Sequence, residues 1–369
     1  MSNPRIIISG GGTGGHIFPA LSIADSIRAI EPGAEILFVG AEGRMEMERV
    51  PAAGYPIKGL PVAGLQRKLS LQNLALPFKV LKSIRLAGRI IKEFKPDVAV
   101  GVGGYASAPM LWAASRRGIP TLIQEQNSYA GLTNKILGKK ARRICVAYEG
   151  MERFFPADRI MLTGNPIRKN INRPTPEERA EGFDYFGLDP QKKTIFVVGG
   201  SLGSATLNNA MKRWVEEKGE KADYQVIWQS GRYYKAGIDS FLEGRDLPNV
   251  RNYDFISRMD LAFAVADVII SRAGAGTISE LCVAGKATIF VPSPNVTEDH
   301  QTHNAMALVH KDAAMMVPDV EAVDKLMATA EELLHDEAKI ARLESNILAL
   351  AKKDAGEVIA KEVLALINK

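Results

Sequence analysis

Cysteine is close to absent. The two residues present, Cys145 and Cys282, stand far apart in a chain of 369, each inside an apolar segment. Neither a disulfide framework nor a cysteine metal site is expected from such a pair, and both read as buried thiols. Long apolar runs are missing too. The longest uncharged stretch, Val98 to Ser115, carries three glycines and a proline, which argues against a membrane span. MSNPR followed by three isoleucines lacks the apolar core of a signal peptide, so the expected location is the cytoplasm. There are no low-complexity tracts, and no Ser-His-Asp or Cys-His arrangement is legible, which leaves a disordered chain and a covalent hydrolase without support.

What is present is globular in composition, with 46% hydrophobic and 24% charged residues. The length suits two domains. A net charge of +5 with a pI of about 9.0 suggests an anionic partner, with nucleic acid and an anionic lipid surface both open. Short Ile- and Val-rich runs (Arg5 to Ser9, Glu35 to Val39, Val98 to Gly101, Thr121 to Ile123, Ile144 to Ala147, Met161 to Thr163) alternate with segments of helical period. That alternation predicts an α/β fold with parallel sheets. The stretch "GNPIRKNINRPTPEE" from Gly164 breaks the rhythm and reads as an interdomain link. The rhythm resumes at Thr194 to Val198, Gln225 to Gln229, Val268 to Ser271 and Thr288 to Val291, and "IFVVGGSLGS" echoes the earlier "IIISGGGTGG". Two Rossmann-like halves, with ligands beyond the carboxyl ends of their strands across a deep cleft, are expected.

"ISGGGTGGHIFPA" places five glycines in the six positions 10 to 15 after a short apolar run. A strand, a glycine turn and a helix start aim several N–H groups at one spot and favour phosphate. The spacing also fits a dinucleotide fingerprint, but Glu42 matches its acidic partner only loosely. Two glycine loops in two halves favour two phosphate-bearing ligands over redox chemistry. His16 sits where the loop becomes helix, and the positive helix end disfavours imidazolium. Two roles are open to it: a base, or a donor to a nearby carbonyl. "SRAGAGTISE" again feeds small residues into a helix, and its Glu280 either closes a capping box with Thr277 or accepts from a ribose diol. "TEDHQTHNA" reads as a polar sugar-reading loop; His300 and His303 lack a third metal ligand at suitable spacing. The chain has no D-x-D pair, hence no usual carboxylate cradle for a metal-bridged sugar nucleotide. Four polar residues, Gln124 to Asn127, follow a predicted strand and read as a solvated loop cap or as a site that uses Asn127.

Residues 67 to 95 carry eight basic side chains against one acid. Lys82, Arg85, Arg89 and Lys92 trace one stripe at helical spacing, and Leu74, Phe78, Leu81, Ile84 and Ile91 another. Such a helix either packs on the sheet with a solvated basic face or lies on an anionic membrane. Nucleic acid is the weaker partner, for want of a matching motif.

In order along the chain, "GGGTGGHIFPAL", "GVGGYASAP", "QEQNSYAGLTNK", "TGNPIR", "GGSLGS", "SRAGAGTISE" and "DHQTHNA" closely resemble the peptidoglycan N-acetylglucosaminyltransferases, which convert lipid I to lipid II. The likeness runs over nearly the whole chain. It implies the GT-B fold, with residues 1–165 as the acceptor and membrane-binding domain, 166–351 as the UDP-GlcNAc domain, and a last helix, about 352–369, returning to the first. It further implies inverting transfer of GlcNAc from UDP-GlcNAc to the C4 hydroxyl of MurNAc in undecaprenyl-pyrophosphoryl-MurNAc-pentapeptide.

By motif match, Ser201, Leu202 and Gly203 contact the UDP phosphates, and Gly276 and Thr277 belong to the donor site. Glu280 takes the ribose hydroxyls, Gln301 those of GlcNAc, Phe255 and Ile256 the uracil, and Arg168 lies near the nucleotide. Thr13, Gly14 and Gly15 touch the donor sugar, while His16 and Asn127 match positions implicated in activity. Gly11, Gly12, Gly103, Gly104 and Tyr105 match the acceptor's pyrophosphate site. The membrane face would comprise Leu74, Phe78, Lys79, Leu81, Lys82 and Arg85, giving peripheral attachment at the cytoplasmic face. No cofactor is implied as required, divalent-ion stimulation stays open, and division and elongation proteins come into view as partners. One departure is Leu202 and Ser204, where many members read Gln and Ala. Rival activities are a UDP-GlcNAc 2-epimerase on the same fold and an NAD-dependent oxidoreductase; a non-catalytic sugar-nucleotide-binding module is the third rival.

Overall fold

The computed structural model describes residues 3–62 and 76–367, the side chains of residues 76–78 excepted. It divides into two units, Met1–Ile167 with Lys352–Lys369, and Arg168–Ala351. The strands of the first unit are β1 (Arg5–Ser9), β2 (Glu35–Ala41), β3 (Ile57–Leu60), β4 (Val98–Gly101), β5 (Thr121–Glu125), β6 (Arg143–Val146) and β7 (Ile160–Leu162). Its helices are α1 (Gly14–Ile30), α2 (Glu46–Ala52), α3 (Leu76–Phe94), α4 (Ser107–Ser115) and α5 (Leu132–Gly138). The second unit holds α6 (Pro176–Phe186), β8 (Thr194–Val198), α7 (Ala205–Glu217), β9 (Gln225–Gln229), α8 (Lys235–Leu242), β10 (Val250–Tyr253), α9 (Met259–Val265) and β11 (Val268–Ser271). It continues with α10 (Ala275–Ala284), β12 (Thr288–Phe290), α11 (His300–Val309), β13 (Met315–Met316), α12 (Asp319–Leu334) and α13 (Glu337–Ala349). The last helix, α14 (Ala355–Ala365), belongs to the first unit.

Both sheets are parallel and doubly wound. Their orders are β3-β2-β1-β4-β5-β6-β7 and β10-β9-β8-β11-β12-β13. Direction therefore reverses between β1 and β4 in one and between β8 and β11 in the other, and a crevice opens beyond the strand ends at such a point. The three consecutive isoleucines of β1 show why the strand is apolar throughout. Ile6 and Ile8 pack with Ile17, Ile23 and Ile27 of α1 and with Ile359 and Val363 of α14, while Ile7 packs on the other face with Ile90, Ile91 and Met110. Helices on both faces leave no position for a polar residue. In the second unit Trp228 packs with Val197 and Met211 on one face of the sheet and Phe196 against Phe263 on the other, and full burial of each is worth about 1.5–3 kcal/mol or more.

Three strands escape the sequence pattern, β3, β10 and β13. All lie outside the central strands; β3, β10 and β13 end their sheets, and their half-buried residues need no unbroken apolar run. The cysteines are buried as expected, and burial pushes both thiols up to about 12. Among the described residues no helix is long and apolar enough to cross a membrane.

Candidate functional site

In the second unit, the loop after β8 turns on Gly200 and Gly203, at φ +86° and +87°. A Cβ on Gly203 would lie 2.1 Å from the Ser230 carbonyl, so only glycine fits. Ser204 caps α7, its Oγ accepting from Leu207 N–H at 3.3 Å and from Arg272 Nη2 at 2.7 Å. Arg272 also donates to the Val291 carbonyl and to Asp319, tying three strand-end segments together. Gln229 closes β9: its Nε2 donates to the Gly200 carbonyl at 3.0 Å and its Oε1 accepts from Ile256 N–H at 2.9 Å. The glycine loop and the Phe255–Ile256 segment thus share one anchor. Ile256 is buried, whereas Phe255 is exposed under the Arg232 guanidinium. Leu202 stands 72% exposed at the loop tip.

Glu280 closes no capping box with Thr277. The N-cap of α10 is Gly274 and no side chain caps it; Glu280 instead receives Arg168 Nε at 2.7 Å and Nη2 at 2.6 Å. This bidentate fork holds the guanidinium above its already high basic range. The capping box that does form, Thr175 with Glu178 at the start of α6, lies in the linker stretch. The first turn of α10 carries no acidic residue, and its leading N–H groups, at Gly276 and Thr277, have no partner one turn back. Gln301 lies in the first turn of α11 rather than in a loop, its Oε1 accepting from Ser293 N–H at 2.8 Å. Just before it, Glu298 and Asp299 adopt φ of +56° and +48°, a conformation that costs about 1–3 kcal/mol per residue. Among the described residues no three His, Cys, Asp or Glu side chains cluster as metal ligands.

In the first unit, the loops after β1 and β4 meet: a Cβ on Gly104 would come 2.3 Å from the Gly11 carbonyl. His16 lies over Gly103, whose Cβ would touch its ring at 2.9 Å. Its Nδ1 is 3.1 Å from the Gly11 carbonyl and 3.2 Å from Thr13 Oγ1. Because a carbonyl only accepts, that contact puts the proton on Nδ1 and makes Nε2 the basic nitrogen of the neutral ring. Gly12 N–H, read from the sequence as a phosphate donor, donates instead to Glu46, at 3.1 Å and 3.0 Å to its two oxygens. Tyr105 is exposed.

The polar run Gln124 to Asn127 is no loop cap. Gln124 and Glu125 lie within β5, and both are buried along with Gln126. Gln124 donates to Asn165, Asn165 to the Gln126 carbonyl, and Gln126 to the Val102 carbonyl. Glu125 accepts from Asn127 N–H at 3.1 Å, Asn127 Nδ2 at 3.3 Å, Gly131 N–H at 3.1 Å and Asn134 Nδ2 at 2.9 Å. Burial nonetheless pushes its carboxyl above the usual range. Asn127 is therefore placed by Glu125.

The two halves of α3 differ in burial. Ala87, Ile90 and Ile91 pack into the core, while Val80 and Leu81 are exposed beside exposed Lys79, Lys82 and Arg85. Leu74 and the side chain of Phe78 lie outside the described residues. Sequence reasoning missed Gln229, Arg272 and Glu46. Arg272 stood inside a quoted motif, but nothing in the others' local spacing marks them, since each acts on a segment distant in sequence.

The family model of the Glycosyltransferase family 28 N-terminal domain matches residues 6–146, and that of the C-terminal domain residues 194–361. The chain is a glycosyltransferase and belongs to glycosyltransferase family 28. It is 55% identical over 370 residues, the whole of both chains, to the "UDP-N-acetylglucosamine--N-acetylmuramyl-(pentapeptide) pyrophosphoryl-undecaprenol N-acetylglucosamine transferase" of Parabacteroides distasonis. It is 57% identical to the Phocaeicola vulgatus protein of that name, covering 100% of this chain and 97% of the relative. Among solved structures it is similar to Acinetobacter baumannii MurG, at TM-score 0.79 and 27% identity, covering 98% of this chain and 99% of that one. A putative UDP-N-acetylglucosamine 2-epimerase from Listeria monocytogenes, at TM-score 0.68 and 12% identity over 100% of this chain and 96% of that one, shares the fold alone.

Proposed function

We propose that this chain transfers GlcNAc from UDP-GlcNAc to the C4 hydroxyl of MurNAc in undecaprenyl-pyrophosphoryl-MurNAc-pentapeptide, inverting the anomeric centre and forming lipid II for peptidoglycan synthesis. The observation that carries this is the identity of 55% over the whole length of a transferase so named. The second unit takes the donor. The Ser201–Gly203 loop and the first turn of α10 receive the diphosphate, Glu280 the ribose diol, Phe255 and Ile256 the uracil, and Gln301 the sugar hydroxyls. Negative charge growing on the departing UDP falls on backbone N–H groups and helix ends, which are already oriented before reaction.

The first unit takes the acceptor, through its glycine loop, Gly103, Gly104 and Tyr105. Gly12 N–H is committed to Glu46, so the loop's share comes from its neighbours. His16 removes the C4 proton on Nε2, and Asn127 lies on the same side of the reaction. The exposed Val80 and Leu81 among Lys79, Lys82 and Arg85 support peripheral attachment to an anionic membrane, the place where the polyprenyl tail of the acceptor resides.

The deciding assay incubates the protein with radiolabelled UDP-GlcNAc and a lipid I analogue. Labelled disaccharide is the expected product; labelled ManNAc, or no turnover, would overturn the proposal. A His16→Ala enzyme with near-normal turnover and intact donor affinity would remove His16 as the base.

A further inference from the structure

Glu46 opens α2 beside the first glycine loop, and it is only 1% exposed. Oε1 accepts from Ala41 N–H at 2.9 Å as well as from Gly12, so one carboxylate joins the end of β2 to the loop. Two glycines make room for it. A Cβ on Gly11 would sit 2.1 Å from Oε1, and one on Gly40 would sit 2.5 Å from Cγ. A glycine turn of the kind that captures anions therefore already holds one, and that anion is part of the chain. A diphosphate seated on Gly12 would meet a fixed negative charge. The other side of Gly11 carries the consequence, because its carbonyl accepts from His16 Nδ1 at 3.1 Å.

We propose that Glu46 is a positioning residue of the acceptor half: a resident carboxylate that fixes the glycine turn so that the Gly11 carbonyl holds the His16 ring in its reactive tautomer and orientation. This rests on the reading of the first unit as the acceptor half with His16 as base. Without the carboxylate, Gly11 and Gly12 are free to change conformation, and a shift of about 1 Å at a reacting group is enough to cost roughly a hundredfold in rate.

The test uses the full-length protein, with kcat and KM for a lipid I analogue and Kd for UDP measured separately. Glu46→Gln keeps the volume but turns an NH2 group toward an N–H donor. It should lower kcat about tenfold while leaving the Kd for UDP within about twofold, the mark of an interaction that matters to turnover and not to donor binding. Glu46→Ala should lose about a hundredfold in kcat. Formate, which fits the vacated space, should restore at least about tenfold of it, and chloride at equal ionic strength should not. Wild-type kcat in Glu46→Gln overturns the proposal even if Glu46→Ala fails to fold. So does Glu46→Ala with normal kcat and a lowered acceptor KM, the behaviour of a carboxylate that merely competes for the loop. Loss of UDP affinity in Glu46→Gln, with acceptor KM unchanged, overturns instead the assignment of the acceptor to this unit.

Discussion

The Arg168–Glu280 fork gives the sharpest test of the proposed donor site. Two charge-assisted hydrogen bonds at 2.7 Å and 2.6 Å are worth roughly 1.5–3 kcal/mol each when shielded from water. The Glu280 side chain is only 11% exposed, but that of Arg168 is 45% exposed, and solvent screening brings the coupling of the pair down to about 1–2 kcal/mol. A carboxylate offers about four lone-pair sites. Arginine takes two in a fixed plane and leaves two for the proposed ribose diol. Arg168→Ala should therefore weaken UDP binding about tenfold, or ~1.4 kcal/mol, by freeing the carboxylate to rotate. Glu280→Gln loses both the fork and a charged acceptor for the ribose, and should cost about 2–3 kcal/mol. If Arg168 acts only through Glu280, the double variant binds no more weakly than Glu280→Gln alone. Calorimetric titration with UDP measures all four corners. Additive losses, or an Arg168→Ala protein that binds as tightly as the wild type, would refute the reasoning.

Other outcomes follow from single contacts. Leu202 packs on nothing that its replacement would disturb, so Leu202→Gln should leave stability within about 0.5 kcal/mol and lower the donor KM by supplying a side-chain hydrogen bond. Burial raises the Glu125 carboxyl, and a group raised in the fold stabilises it most when protonated, so that contribution is lost as pH rises through the folded value. Urea unfolding at about pH 5 and about pH 8 should show the balance between Glu125→Gln and the wild type moving in favour of the variant at the higher pH; a constant difference would contradict the shift. Asn208→Ala strands the Trp228 indole N–H, which donates to Asn208 Oδ1 at 2.9 Å, and should cost about 1–3 kcal/mol in thermal or chemical unfolding. Binding to vesicles should rise with anionic lipid and fall with salt, and Lys82→Glu with Arg85→Glu should weaken it; salt-independent partitioning would exclude an electrostatic share.

The central strands were legible because burial on both faces forces an unbroken apolar run, as in Ile6 to Ile8 and Ile195 to Val198. Edge strands such as β3 carry a lysine and a glycine and leave no such trace. The glycine loops were legible as tight turns between a strand and a helix, but the partner of Gly12 was not, since Glu46 and Gly12 are brought together by the pairing of β1 with β2 and not by local spacing. The same holds for Glu280. Its spacing from Thr277 satisfied a capping box, yet the fold supplies an arginine 112 residues away that offers two donors in a matched plane. Gln124 to Gln126 misled for the opposite reason: polarity in sequence suggested solvent, while in the fold all three side chains are buried and hydrogen-bonded.

Helix α14 packs on α1 and contributes Ile359, Ala360 and Val363 to the core beneath the first glycine loop. Arg143 meets Glu362 there at 2.8 Å, and Gly356 lies so near Ser26 that a methyl would stand 2.7 Å from its hydroxyl. Synthesis runs from residue 1, and domains ordinarily fold as they leave the ribosome. Here the earliest-made unit must wait, its apolar floor uncovered, until the second unit and then these late residues have emerged. A released chain ending before residue 355 should carry a finished second lobe and a protease-sensitive first one.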